Sequence, residues 1–199
     1  MGNAATVERK TRALDARLVR SRKALNAALL ALLEEKPFDQ ITIREITARA
    51  GTGYATFFRH YPAKEALLSN IASAEIAELL GMTIPILFDS DSHASTLALC
   101  RFVAKHRSLW AALLTGGASA TVREEFIRQA RDWAERAPRP EGWLPADLAV
   151  VHGSGGTIDV LAWWLGRGEA LNAEQIAGIL NRLVIAPLVG DRALTLDPG

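Results

Sequence analysis

The sequence predicts an all-α fold, on three observations. Apolar residues recur at three- and four-residue intervals in every long segment, no apolar–polar alternation runs far enough for a strand, and pairs that cap helix starts recur at Thr42/Glu45, Thr121/Glu124 and Asn172/Gln175. With 199 residues, 49% of them apolar, the chain has ample material for a core, as one large domain or a small domain joined to a medium one.

The elements follow in order. Leu14, Leu18, Leu25, Leu29 and Leu32 predict a long amphipathic helix over 14–33, with Arg17, Arg20, Arg22 and Lys23 elsewhere on its surface and Pro37 as its stop. Thr42 and Glu45 form a capping box, and Ile43, Ile46, Thr47 and Ala50 continue it as a short helix ending at Gly51. Gly51-Thr52-Gly53 reads as a tight turn, glycine being the residue that reaches positive φ after a helix without penalty. Tyr54–Tyr61 is a third helix, too short to stand alone, with Phe57 facing inward. A fourth runs from Pro62 through Leu79, its end marked by Gly81 and Pro85; the apolar run Ile84–Phe88 is left unassigned. Further helices are predicted near 95–105, 108–114, 121–137, 146–165 and 172–188, with 138–142 as a linker.

Charge divides the chain. Residues 1–65 hold 12 Lys and Arg against 7 Asp and Glu, a net of +5, whereas the remainder holds 11 against 15, a net of −4. A basic segment on an acidic body is the footprint of a nucleic-acid-binding module attached to something with another task, and the expected domains are 1–65 and 66–199. Cys100 is the one cysteine, which excludes a disulfide framework and a multi-cysteine zinc site. No signal peptide is recognised, and Leu148–Gly166, the longest candidate membrane span considered, is interrupted by His152, Asp159 and glycines 153, 155 and 156. A cytoplasmic protein is expected.

Two short helices joined by a glycine turn and preceded by a longer helix make a helix-turn-helix, whose second helix can enter a major groove. Arg44, Thr56, His60 and Lys64 offer donors to phosphate, and Tyr54 with Thr56 stands where base edges or thymine methyls are read. An αα-corner in an enzyme core has the same spacing and stays open at this point.

Phe38-Asp39-Gln40-Ile41-Thr42-Ile43-Arg44-Glu45-Ile46, Ala50-Gly51, Thr56-Phe57-Phe58-Arg59-His60-Tyr61 and Lys64-Glu65-Ala66-Leu67-Leu68 resemble the tetracycline-repressor (TetR) family of bacterial transcriptional regulators over about residues 15–70. The resemblance implies a three-helix DNA-binding domain, a helical ligand-sensing body, and a homodimer on a palindromic operator. By position it implies DNA contacts from Thr42, Arg44, Tyr54, Ala55, Thr56, Phe58, His60 and Lys64. It also implies that the last two helices, 146–165 and 172–188, pair across a two-fold axis. Two residues depart from the family's pattern. Gly53 replaces the usual hydroxyl cap, and Phe58 replaces a tyrosine whose hydroxyl meets phosphate.

In the body, Phe102, His106 and Trp110 recur at four-residue spacing, the pattern of an apolar pocket with one polar anchor. Phe126, Trp163 and the polar pair His152 and Asp159 complete the candidate ligand-binding set, against a plain reading in which the aromatics, Trp143 included, are core. His152-Gly153-Ser154-Gly155-Gly156 is similar to an oxyanion-hole glycine run, but no Gly-x-Ser-x-Gly and no preceding strand accompany it, and no dinucleotide fingerprint is present. Its small residues suit close helix approach at a dimer interface. No catalytic residue, metal or cofactor is expected. The sequence is read as a dimeric repressor released by a small molecule; the alternatives are a dimeric DNA- or partner-binding protein without an inducer, and a small helical enzyme.

Overall fold

Leu25, Ala28, Leu29 and Leu32 stand at helical intervals, and in the computed structural model of the chain all four are buried along one face of α1, Asn3–Leu33. The structure describes residues 3–89, 91–117, 119–136, 144–167 and 171–189, with side chains from residue 16 onward. The Leu14 side chain, the 138–142 linker and Trp143 lie outside them. α1 begins well before the predicted start at Leu14, because residues 4–13 are mostly strong helix formers without an apolar stripe, and periodicity sees only the stripe.

Phe38–Gln40 make one 3₁₀ turn after Pro37. α2, Ile43–Arg49, starts at the predicted capping box: the Glu45 amide donates to Thr42 Oγ1, and the Thr42 amide donates to Glu45 Oε2 at 2.9 Å. Its end is a Schellman turn, in which the Thr52 amide donates to the Thr47 carbonyl and the Gly51 amide to the Ala48 carbonyl, with Gly51 at φ +61°. Gly53 is extended instead, at φ −74° and ψ 152°, so only the first glycine of the turn serves the left-handed region. α3, Tyr54–His60, and α4, Lys64–Phe88, follow.

Two compact units result, Met1–Ile71 and Ala72–Gly199, divided within α4. In the first, Leu25, Leu29, Ile41, Ile46, Phe57, Leu67 and Leu68 form a closed core, and Glu35–Arg49 and Lys36–Glu45 ion pairs fasten the end of α1 to α2. α4 continues through Gly81 and Pro85, where an end was expected. Pro85 lies in the last turn, so its missing N–H removes only one helical bond, to the Gly81 carbonyl. The unassigned Ile84–Phe88 run is thus helical. By length and composition α4 is also apolar enough to cross a membrane; its Leu67, Leu68, Ile71, Ala72, Ile76 and Leu79 are buried within the two units.

The second unit adds α5 (Ser92–Lys105), α6 (Arg107–Thr115), α7 (Ser119–Arg136), α8 (Ala146–Leu165), α9 (Ala173–Leu180), a π-turn at Asn181–Ile185 and α10 (Ala186–Val189). Among the described residues there is no strand. Asn172 and Gln175 form the predicted box at α9, whereas α7 starts at Ser119 and leaves Thr121 inside the helix. Gln129 holds α7 to α4 by donating to the Ser73 carbonyl at 2.9 Å, and Ser73 Oγ donates to Glu125. The glycines of α8, read as dimer-interface residues, serve the chain itself. A Cβ on Gly156 would lie 3.0 Å from both Val184 methyls, one on Gly153 2.9 Å from Leu188 Cδ1, and one on Gly155 3.1 Å from Arg123 Nη2. They admit the segment that follows α9, and the guanidinium of Arg123 on its way to Asp159.

Candidate nucleic-acid interface

α3 has two faces. Phe57 is 0% exposed and Tyr61, just past the helix end, 6%, with the Tyr61 hydroxyl 3.2 Å from Asn26 Oδ1 and 3.1 Å from Asn70 Oδ1. These two rings anchor a helix of seven residues that propensity alone would not hold. On the outward face Tyr54 is 56% and Phe58 46% exposed, with Ala55 and Arg59 exposed beside them and Thr56 half-buried. Arg59 Nη2 donates to Thr56 Oγ1 at 3.3 Å. Gly53, at the helix start, supplies no side-chain cap, as its identity dictates.

The remaining predicted DNA contacts divide. Arg44 is exposed in the first turn of α2. Thr42 is exposed too, but its hydroxyl serves the cap, accepting from the Glu45 amide and donating to Glu45 Oε2. His60 is half-buried against α1, its Nε2 2.7 Å from Ser21 Oγ. Ser21 has one proton and lies 3.0 Å from the carbonyls of both Arg17 and Leu18; with that proton on a carbonyl, the ring donates from Nε2 and keeps Nδ1 bare. Burial, then the charges of Arg59 and Arg22, lower the His60 pKa, so near neutral pH it is an uncharged ring, not the cationic phosphate donor that its position suggested.

Lys64 requires a correction. Its ammonium donates to the carbonyls of Phe38 (3.0 Å), Asp39 (3.2 Å) and Ile41 (2.8 Å) and stands 4.6 Å above the Phe38 ring. An ammonium has three protons, and all three are committed, so Lys64 braces the connection between α1 and α2 and has none left for phosphate. Sequence reading missed this because the carbonyls belong to a 3₁₀ turn that leaves no side-chain signal. The exposed cations on the described surface of this unit are instead Arg17, Arg20, Arg22, Lys23, Arg44, Arg49 and Arg59, Arg49 being paired with Glu35.

The candidate ligand residues do not form one site. Phe102, His106 and Trp110 are together, with the ring centroids of His106 at 4.7 Å and Trp110 at 6.5 Å from that of Phe102. They do not share a helix, because α5 ends and α6 begins at His106, which has φ −114° and ψ 38°. His106 Nδ1 meets Glu75 Oε2 at 2.9 Å, a partner on α4 that nothing in the local sequence signalled. Trp110 and Phe126, 0% and 3% exposed, are core. His152, Asp159 and Trp163 are exposed on α8, where Asp159 pairs with Arg123 and not with His152, and Arg167 lies 4.8 Å over the Trp163 ring. Cys100 is buried, which pushes its thiol up to about 12 and leaves it inert. Among the described residues no group of His, Cys, Asp and Glu is placed to hold a metal.

Known proteins match both parts of this description. The profile of bacterial regulatory proteins of the tetR family matches residues 25–71. An uncharacterised HTH-type transcriptional regulator, YxbF, of Bacillus subtilis (strain 168) is 41% identical over 81 residues, 40% of this chain; the match spans 21%, about a fifth, of that protein's length. A TetR transcriptional regulator from Streptococcus agalactiae 2603V superposes with TM-score 0.60 at 19% identity, covering 87% of this chain and 98% of its own. Thermus thermophilus FadR, a TetR-family repressor in complex with lauroyl-CoA, does so with TM-score 0.60 at 16% identity, over 89% of this chain and 98% of its own. At these identities the superpositions speak to fold. The capped α2, the Gly51 turn and the two-faced α3 thus lie within the segment that matches the tetR-family profile, and the whole chain is similar in fold to TetR regulators.

Proposed function

We propose that the protein is a cytoplasmic homodimeric repressor that binds a palindromic DNA operator through α3 and is released by a small molecule. The observation that carries the reading is the division of α3: Phe57 is sealed in the core while Tyr54, Ala55, Phe58 and Arg59 face outward beside Arg44. Arg44 and Arg59 supply charge to phosphate, Tyr54, Ala55, Thr56 and Phe58 meet base edges, and Thr42, His60 and Lys64 hold the helices that present them. A second copy of the chain is the partner for the apolar side chains left exposed on α8 and after it, Leu148, Val151, Trp163, Leu183 and Val189. The effector site is placed at Phe102, His106 and Glu75, which are half-buried rings and charges on the rim of a closed core. An effector that prefers the non-binding state by about 4 kcal/mol lowers operator affinity a thousandfold.

The test is selection of bound fragments from random duplex DNA. The reading predicts an inverted repeat whose half-sites lie about 34–36 Å apart, one helical turn. An asymmetric site, or no enrichment in dilute buffer, contradicts it. A dimer with no effector is the second reading, and the sealing of Trp110 and Phe126 favours it. Operator affinity unchanged by every small molecule that perturbs tryptophan fluorescence would select it.

A further inference from the structure

We propose that Phe58, braced by Tyr54 and Phe57, reads the C5-methyl group of a thymine in each operator half-site. The inference rests on the DNA-binding reading above and deepens it. Tyr54 and Phe58 are four residues apart on one face of α3, their rings edge to face at 5.1 Å. Phe58 is in turn edge-on to Phe57 at 5.5 Å, and Phe57 is 0% exposed, so the outward ring is fixed from behind by the core. Two large rings at 56% and 46% exposure on the outward face of a seven-residue helix are an apolar surface left uncovered among the described residues. Arg59 stands beside them and Arg44 is exposed on α2, which fits a polyanionic partner.

The phenyl ring has no donor or acceptor, so it cannot use the hydrogen-bonding edges of guanine, adenine or cytosine. The major groove offers one apolar feature, the thymine methyl. Fixation matters because a ring already immobilised loses little rotamer freedom on contact.

Deoxyuridine differs from thymidine by that methyl alone, so the measurement is made on the wild-type protein. In the operator recovered by selection, each thymidine is replaced singly by deoxyuridine and binding is read by fluorescence anisotropy. One position per half-site should lose about fourfold in affinity, the value of one buried methyl-sized group. In Phe58→Ala, whose circular dichroism should match the wild type, thymidine and deoxyuridine should bind equally at that position. Wild-type indifference to every replacement overturns the inference and leaves DNA binding standing, as does a penalty that survives in Phe58→Ala. Failure of the wild type to bind any duplex overturns both.

Discussion

Lys64 shows how much one ammonium can decide. Three carbonyls and the Phe38 ring occupy it, so Lys64→Met should destabilise the first unit by about 1 kcal/mol, since part-buried carbonyls lose their donor, and weaken DNA binding without altering its salt dependence. Arg44→Ala and Arg59→Ala should do the reverse, with an unchanged urea midpoint and a salt slope flatter by about 0.9 per phosphate lost. Protonation separates two further residues. The hydrogen bond from Lys36, then those from the Thr42 amide and hydroxyl, hold Glu45 at about 2 against 4.5, so its contribution is fully present above pH 4.5 and is lost as pH falls towards 2. His60 has a lowered pKa, so the unfolded chain takes up its proton first; stability is full above pH 6.5 and declines as pH falls below it. Urea midpoints across pH should show both declines, with Glu45→Gln flattening only the acidic one and His60→Gln only the one that begins near 6.5. A single decline untouched by either variant contradicts these assignments.

Among elements, the joint between α8 and the segment after α9 depends on two glycines that differ in their neighbours. Gly156 faces both methyls of Val184, a β-branched side chain that has no rotamer to retreat to, whereas Gly153 faces only the far end of Leu188. Gly156→Ala should therefore cost about 1–3 kcal/mol by overpacking, while in Gly153→Ala the helix-propensity gain of up to about 1 kcal/mol should offset a small shift of Leu188. Equal midpoints in thermal unfolding would contradict this reading of the joint. The same contrast explains what was legible. The caps at Thr42 and Asn172, the Schellman glycine and the inward Phe57 depend on residues within a few positions of one another, and the sequence displays them. Pro85 misled because a proline near a helix end costs one bond, which the sequence cannot weigh against the burial of Leu79 and Leu80 just before it. The break at His106 and its Glu75 partner, the Lys64 brace and the Arg123–Asp159 pair depend on residues 23 to 36 positions apart. No periodicity encodes them.

At the scale of the whole molecule, the proposed repressor acts as two copies on one duplex. Leu183, 67% exposed, and Val151, 38%, belong to the surface assigned to the second copy. Leu183→Glu with Val151→Glu should give monomers in sedimentation at micromolar concentration, with native helix content and much weaker operator binding; a persistent dimer would place the two-fold axis elsewhere. Whatever the position of the two-fold axis, operator binding by the proposed repressor needs the outward face of α3 against DNA. The most direct measurement of that contact is the affinity of Phe58→Glu for the selected operator by fluorescence anisotropy, beside its urea midpoint. Phe58 is 46% exposed, so the fold should survive and the midpoint stay within about 0.5 kcal/mol of wild type. A carboxylate held against a polyanion should then abolish specific binding. Wild-type affinity in this folded variant would show that α3 does not face the duplex.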